Sequence, residues 1–290
     1  MSKRPFPQLQ PIYDVAREWV NSALRSDGSL LTPGRPIWSL ANVETLYERT
    51  HGNPQEAAGD FEAKLRHQLS GAAPDVYQLA AEQLIVYCLV STKGAIGAKR
   101  KRAMIVEVLE WGGLPVELPP LVEASFAEGL VNPGTAYNTK KPMQLWFLLD
   151  FVRALKKVSS AEREAVLTQP ARLRELLFSL EVQASQSMRE ALLHLVQPDF
   201  FEAITSRADK KQLVKSFEHL VQNKSGNVDE QIADIRGALA AAHGPALDSG
   251  QWQCFRPAVP ARVKSGLPMK FFPLGSPRSS ATGDAIEMHD

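Results

Sequence analysis

The chain has 290 residues, of which 44% are hydrophobic, so it can bury a sizeable core without disulfides or a structural metal. Its 33 lysines and arginines against 32 aspartates and glutamates give a net charge of +1. A balance this even excludes a protein that attracts DNA or an anionic membrane through its overall field. Any such contact must come from a local patch of charge.

The two cysteines, Cys88 and Cys254, lie far apart in the chain, which excludes a disulfide framework and a cysteine-based metal site. The cationic N-terminus is not followed by an apolar segment, and the longest apolar run, residues 84–90, is too short to span a bilayer. We therefore expect a cytoplasmic protein that has no membrane contact and no cofactor or metal.

Apolar side chains recur at helical spacing along most of the chain. Ile12, Val15 and Trp19 begin this pattern, and Asp27-Gly28 ends the first helix at about Arg25. Asp60, Pro74 and the sequence Ser159-Ser160-Ala161-Glu162 are typical of helix starts. Further helices are predicted around 43–47, 60–69, 74–90, 98–111, 120–130, 143–158, from 159 onward, 172–180, 186–195, 210–222 and 229–242.

The helix at 76–90 is apolar around nearly its whole circumference, which predicts a position at the centre of a bundle. A second core helix is expected at 143–158, and no segment has the alternation of a strand. The predicted fold is all-α, with a globular body of about ten helices at 10–243. Division of this body into two subdomains near 159 is one option.

The ends of the chain differ from this body. Residues 1–9 are expected to form a flexible N-terminus. From 244 to 290 the helical periodicity disappears and proline is frequent. Every charged residue between Asp248 and Asp284 is a lysine or an arginine. Such a composition cannot offset the entropy of ordering, so we expect a basic, largely disordered tail or linker there.

The stretch at 93–102, KGAIGAKRKR, was tested as a nucleotide site. A phosphate-binding loop needs glycines five positions apart, followed by lysine and a hydroxyl residue, whereas Gly94 and Gly97 are three positions apart. The stretch instead offers a patch for nucleic acid or an acidic partner, formed by Lys99, Arg100, Lys101 and Arg102. Consecutive residues of a helix point in all directions, so only a subset can share one face. The commoner explanation is a solvated first turn.

Catalytic patterns are weak. The chain has no nucleophile elbow and no H-E-x-x-H sequence. His67, His194 and His219 fall in predicted helices, where packing is the ordinary explanation. Glu82 lies within the apolar helix, and a buried carboxylate must be paired or neutral. We expect a structural pairing with an arginine, with a catalytic role for Glu82 or His194 as the less favoured alternative.

Four blocks of the chain, read together, resemble the region N-terminal to the motor in McrB-type AAA+ proteins, the NTP-driven subunits of restriction and phage-defence systems. The blocks are GSLLTPGRPIWSLANVETLYERT, FEAKLRHQL with VYQLAAEQLIVYCL, VLEWGGLPVELPPLVEASFAEGLVNPGTAYNT and LLHLVQPDFFEAITSRADKKQLVKSF. The resemblance spans about residues 10–243. Its most specific part is similar to a family pattern of the form HLLFPD-x-FE-x-I followed by DK. We expect the matching residues to be structural: His194, Pro198, Asp199, Phe201, Glu202, Asp209 and Lys210.

The resemblance implies an accessory region and not a motor. In such proteins a motor with a phosphate loop, a magnesium aspartate and an arginine finger follows, and none of these motifs occurs in the 290 residues. The resemblance therefore implies a non-enzymatic recognition or coupling module whose partner is an AAA+ motor or another defence-system subunit. The alternative is a DNA-binding helical module that uses the patch at 99–102.

Overall fold

The computed structural model of the chain describes residues 7–54 and 60–243. The predicted tail at 244–290 and the first six residues of the predicted flexible N-terminus lie outside these ranges. Within them, the chain folds into thirteen α-helices with no β-strand, and the sole strand-like feature is an isolated parallel bridge between Ser91 and Val131. The predicted all-α body is thus confirmed.

The helices follow one another with short connections. In chain order they are α1 (Gln10–Glu18), α2 (Leu40–Thr50), α3 (Phe61–Leu69), α4 (Pro74–Val90), α5 (Ala98–Trp111), α6 (Pro120–Ser125), α7 (Thr135–Thr139), α8 (Lys141–Lys157), α9 (Ser160–Thr168), α10 (Pro170–Ser179), α11 (Gln186–Val196), α12 (Arg207–Ser216) and α13 (Val228–His243). A π-helical segment (Trp19–Leu24) continues α1, and 3-10 turns occur at Pro7–Leu9 and Glu218–Leu220. Residues 7–9 of the predicted flexible N-terminus form one of these 3-10 turns, in which Leu9 is buried.

Local sequence signals explain most helix starts. The Asp60 carboxylate accepts from the amide of Ala63 at 2.8 Å, and the Ser159 hydroxyl accepts from the amide of Glu162 at 3.2 Å. Pro74 is the first residue of α4, where its missing N–H costs nothing. Two helix ends differ from expectation, since α6 stops at Ser125 and α12 at Ser216, each several residues early.

The centre of the body is α4. Every residue from Val76 to Val90 is buried, and α4 packs against α1, α2, α5 and α8. Neighbours on all sides explain why this helix is apolar around nearly its whole circumference. The second predicted core helix is confirmed as α8, whose buried side chains include Phe147, Phe151 and Leu155.

Apolar packing divides the described residues into two unequal clusters. The main core runs from Leu9 to Phe201 and is continuous across position 159, where a division into two subdomains was one option. A second, small cluster lies in α12, α13 and the turn between them. We call residues 207–243 the C-terminal helical unit. Its buried apolar residues are Leu213, Phe217, Val221, Ile232 and Ile235.

The turn that follows α4 is held by a crossing segment. The amides of Leu130 and Val131 donate to the carbonyls of Leu89 and Val90 at 3.1 and 3.0 Å. Gly129 precedes this pair, and a Cβ atom at its position would lie 2.0 Å from the carbonyl oxygen of Ser91. The close approach of two backbones therefore requires glycine at 129.

We expect Gly129→Ala to lower the free energy of unfolding by roughly 3 kcal/mol, because the added methyl group must displace backbone atoms. Urea denaturation followed by circular dichroism measures the loss. The matched control is Gly94→Ala in the neighbouring turn, where a Cβ atom meets nothing within 4 Å. Equal stability of the two variants would contradict the proposed contact.

Candidate functional site

The four cations of the predicted patch do not share a surface. Lys101 is fully buried, and its Nζ donates to the carbonyl oxygen of Glu128 at 2.5 Å. Burial lowers the pKa of Lys101 to about 8. Lys101 therefore cannot contact a nucleic acid in this structure, and its predicted place in the patch is wrong.

The three remaining cations are exposed at the start of α5. Arg100 pairs with Glu62 of α3, and Arg102 pairs with Glu123 of α6 at 2.7 Å. These pairs, with the Lys101 bond, join the first turn of α5 to three neighbouring segments. This explains why cations occupy a helix start, where the helix dipole disfavours them. Binding of nucleic acid or an acidic partner by Lys99, Arg100 and Arg102 stays a prediction.

The buried ammonium group of Lys101 predicts a rise of stability with pH. Between about pH 8 and the ordinary lysine pKa of 10.5, the unfolded chain keeps a proton that the folded chain releases. The free energy of unfolding of the native chain should therefore increase across this window, by up to about 3 kcal/mol relative to Lys101→Met. Urea denaturation at a series of pH values measures both chains. The exposed Lys99→Met serves as control, and parallel pH profiles for the native chain and Lys101→Met would contradict the prediction.

Glu82 of α4 is fully buried, as the sequence predicted. Its hydrogen-bond partners differ from the predicted one. Its carboxylate accepts from the indole Nε1 of Trp38 at 2.7 Å and from the amide of Leu30 at 2.9 Å. The carboxylate also accepts from the Ser29 hydroxyl, the Leu31 amide and the Gln78 side chain. The expected arginine partner is thus wrong, because neutral donors from the loop before α2 satisfy the carboxylate instead.

Glu82 has no solvent-exposed surface. Two surface depressions of the described residues are lined by side chains from α2, α3 and the adjoining turns, and by side chains from α12, α13 and their connection. Neither includes Glu82 or His194. Glu82 instead anchors the loop at 29–38 to the central helix, which is a structural task.

Replacing Glu82 by leucine should destabilise the protein by about 3 kcal/mol or more, because the buried indole of Trp38 and the buried amide of Leu30 lose the acceptor that they have here. Chemical denaturation monitored by tryptophan fluorescence reports directly on Trp38 and its surroundings. The control is Glu110→Leu at the exposed end of α5, where a change within about 0.5 kcal/mol is expected. A Glu82→Leu variant as stable as the control would refute the anchoring role.

His194 of α11 is buried between two helical segments. Its Nδ1 lies 2.6 Å from the carbonyl oxygen of Phe201, and its Nε2 lies 3.0 Å from the hydroxyl of Tyr13. Because a carbonyl can only accept, Nδ1 carries a proton that it donates to Phe201. The ring thus fastens the segment after α11 to α1, which is a structural role.

The rest of the predicted signature lies along the connection from α11 to the C-terminal helical unit. Pro198 and Asp199 lie in the turn after α11, and Phe201 is buried in the main core. Glu202 accepts from Arg236 of α13 at 2.8 Å. The Ser206 hydroxyl caps α12 by accepting from the amide of Asp209 at 3.2 Å. The last signature residue is Lys210.

Lys210 is fully buried between two carboxylates. Its Nζ lies 2.6 Å from an Oε of Glu190 and 2.6 Å from an Oδ of Asp229. The same carboxylates accept from Arg207 at 3.1 Å and from Arg174 at 3.2 Å. We call these five residues the junction cluster. It joins α10 and α11 of the main body to α12 and α13 of the C-terminal helical unit.

The sequence contained one signal for this cluster. Lys210 is spaced three and seven residues before Leu213 and Phe217, so it lies on the apolar face of α12. A lysine on such a face indicates a buried partner. The partners themselves, Glu190 and Asp229, come from other helices, and nothing in their local sequence distinguishes them from surface acids.

Comparisons with protein-family models, with curated proteins and with solved structures each found no match. Over the ranges 7–54 and 60–243, no group of three or more histidine, cysteine, aspartate or glutamate side chains is arranged to hold a metal ion. In the same ranges, no helix combines the length and the apolar character needed to cross a bilayer.

Proposed function

We propose that this protein is a non-catalytic recognition and coupling module that acts in the cytoplasm, comparable to the accessory region of McrB-type AAA+ defence proteins. Its partner would be an AAA+ motor or another subunit of a defence system. The observation that carries the proposal is the position of the resembling residues. His194, Glu202 and Lys210 all make contacts that attach the C-terminal helical unit, or the segment leading to it, to the main body.

The contacts are suited to transmitting a displacement. The C-terminal helical unit has only five buried apolar residues of its own, so its position depends strongly on its attachment. The junction cluster supplies short ionic contacts between the main body and this unit. The ion pair between Arg236 and Glu202 adds a further one. A movement imposed on α13 would therefore reach α10 and α11 directly.

The candidate catalytic groups support a non-enzymatic role. Glu82 and His194 are both enclosed and have their hydrogen bonds satisfied by the protein. General acid or base catalysis requires contact with a substrate. In their observed positions these side chains hold segments of the fold together.

Reconstitution with an AAA+ motor subunit from the same gene neighbourhood tests the proposal. We expect the chain alone to hydrolyse neither GTP nor ATP above a protein-free blank, and the motor's hydrolysis rate to change when the chain is added. Lys210→Met should weaken this effect severalfold, because it leaves two buried carboxylates without their shared cation. Phosphate release assays measure each rate.

The neighbouring Lys211→Met is the matched control, because Lys211 is exposed and lies next to Lys210 on α12. Its effect on the motor should equal that of the native chain. Hydrolysis of GTP or ATP by the chain alone would overturn the non-catalytic assignment. An unchanged motor rate together with no co-sedimentation would overturn the coupling role.

A further inference from the structure

Three arginines surround the ring of Phe178 at the end of α10. Their guanidinium carbons lie 4.1 Å (Arg174), 4.7 Å (Arg207) and 5.2 Å (Arg189) from the ring centre. The arginines come from α10, α12 and α11 respectively, and the ring is half-buried. The cluster therefore lies on the surface where the main body meets the C-terminal helical unit.

Two of these guanidinium groups are held by one edge only. The Nε of Arg174 donates to Asp229, and the Nε of Arg207 donates to Glu190. Within the described residues, the terminal nitrogens of both groups have no protein acceptor. The side chains remain 27% and 39% exposed. The buried carboxylates thus fix the orientation of each guanidinium group while its other donors face solvent.

Arg189 is held differently. Its Nε and one terminal nitrogen donate to the carbonyl oxygens of Leu177 and Leu180, at 3.1 and 2.8 Å. Burial lowers the pKa of Arg189, and the nearby positive charge of Arg207 lowers it further. This arginine therefore adds positive charge beside Phe178; Glu190 acts on it electrostatically, but no carboxylate of the described residues forms an ion pair with it.

Charge is not balanced at this place. The junction cluster contains three cations and two carboxylates, and Arg189 raises the local excess to two positive charges. Glu175 of α10 pairs with Arg172 at 2.9 Å, and the exposed Glu181 that follows α10 forms no ion pair with these arginines in the described residues. Mutual repulsion of cations held this close is unfavourable, and a bound anion would relieve it.

We propose that Arg174 and Arg207, supported on Phe178, form a binding site for a phosphate-type oxyanion. Guanidinium groups donate pairs of parallel hydrogen bonds that match phosphate oxygens. Both guanidinium carbons lie within 5 Å of one ring centre, so they are at most about 9 Å apart. The phosphate can belong to a free anion or to a nucleic-acid backbone.

The test compares two probes on the full chain at constant ionic strength. Inorganic phosphate and a short single-stranded oligodeoxynucleotide are titrated by isothermal calorimetry, with sodium chloride replaced so that ionic strength stays fixed. Phosphate should bind and should raise the unfolding temperature relative to chloride. Tighter binding of the oligonucleotide, with displacement of phosphate, assigns the site to a nucleic-acid backbone. Binding of phosphate without competition from the oligonucleotide assigns it to a free anion.

The test variant is a double variant that carries both Arg174→Lys and Arg207→Lys, which keeps both charges but removes the planar donor pairs. Affinity for the bound probe should fall at least tenfold. The matched control is Arg172→Lys, on the same helix but paired with Glu162 and Glu175, and it should bind as the native chain does. Failure of both probes to bind the native chain would overturn the proposal. An equal loss of affinity in the double variant and in Arg172→Lys would overturn it too.

Hydrogen exchange on the native chain keeps the proposal testable if the double variant does not fold. Bound phosphate or oligonucleotide should slow amide exchange at the end of α10 and at the start of α12. Protection confined to other segments, such as the first turn of α5, would refute the site at Phe178 even if binding is observed.

Discussion

The ammonium group of Lys210 has no exposed surface, and a charge removed from water is unfavourable unless other charges compensate for it. Glu190 and Asp229 provide that compensation, and they come from α11 and α13, the helices before and after α12 in the chain. The positions of α11, α12 and α13 are therefore mutually dependent. Removing Lys210 would leave two buried carboxylates without their shared cation, so the cluster specifies one arrangement of the C-terminal helical unit on the body.

The same requirement applies to three other buried charged side chains, Glu82, Lys101 and Lys156. Glu82 has five donors, and Lys101 donates to a backbone carbonyl. Lys156 of α8 donates to the carbonyl oxygen of Ala23 at 2.5 Å and to Asp27 at 2.7 Å. In each case the partner lies on a loop or a helix end beside a long core helix. Buried polar groups thus position the connections, while apolar packing positions the helices.

Much of the fold could be predicted from the sequence, because helical periodicity and capping are local properties. Examples are the nearly all-apolar circumference of α4, the Asp60 cap of α3 and the start of α5 after Gly97. The early end of α6 and the existence of α7 were not predictable, because the segment after Ser125 must cross α4 at Gly129 instead of continuing as a helix. Such crossings depend on residues distant in sequence.

The candidate site was less predictable for the same reason. Four consecutive cations are equivalent in sequence, and only the packing of α5 determines that Lys101 is buried while Arg100 is exposed. The expected arginine partner of Glu82 was wrong because a loop supplied neutral donors. Lys210 was included in the predicted signature, but its acidic partners could be identified only after the helices were placed.

The claim that the junction cluster fastens the C-terminal helical unit is tested most directly by amide hydrogen exchange of the full chain. The account predicts that Lys210→Met speeds exchange in α12 and α13 by an order of magnitude or more while exchange in α4 and α8 stays unchanged. Lys211→Met should leave all four helices unchanged. Unaltered exchange in α12 and α13 of Lys210→Met would contradict the account.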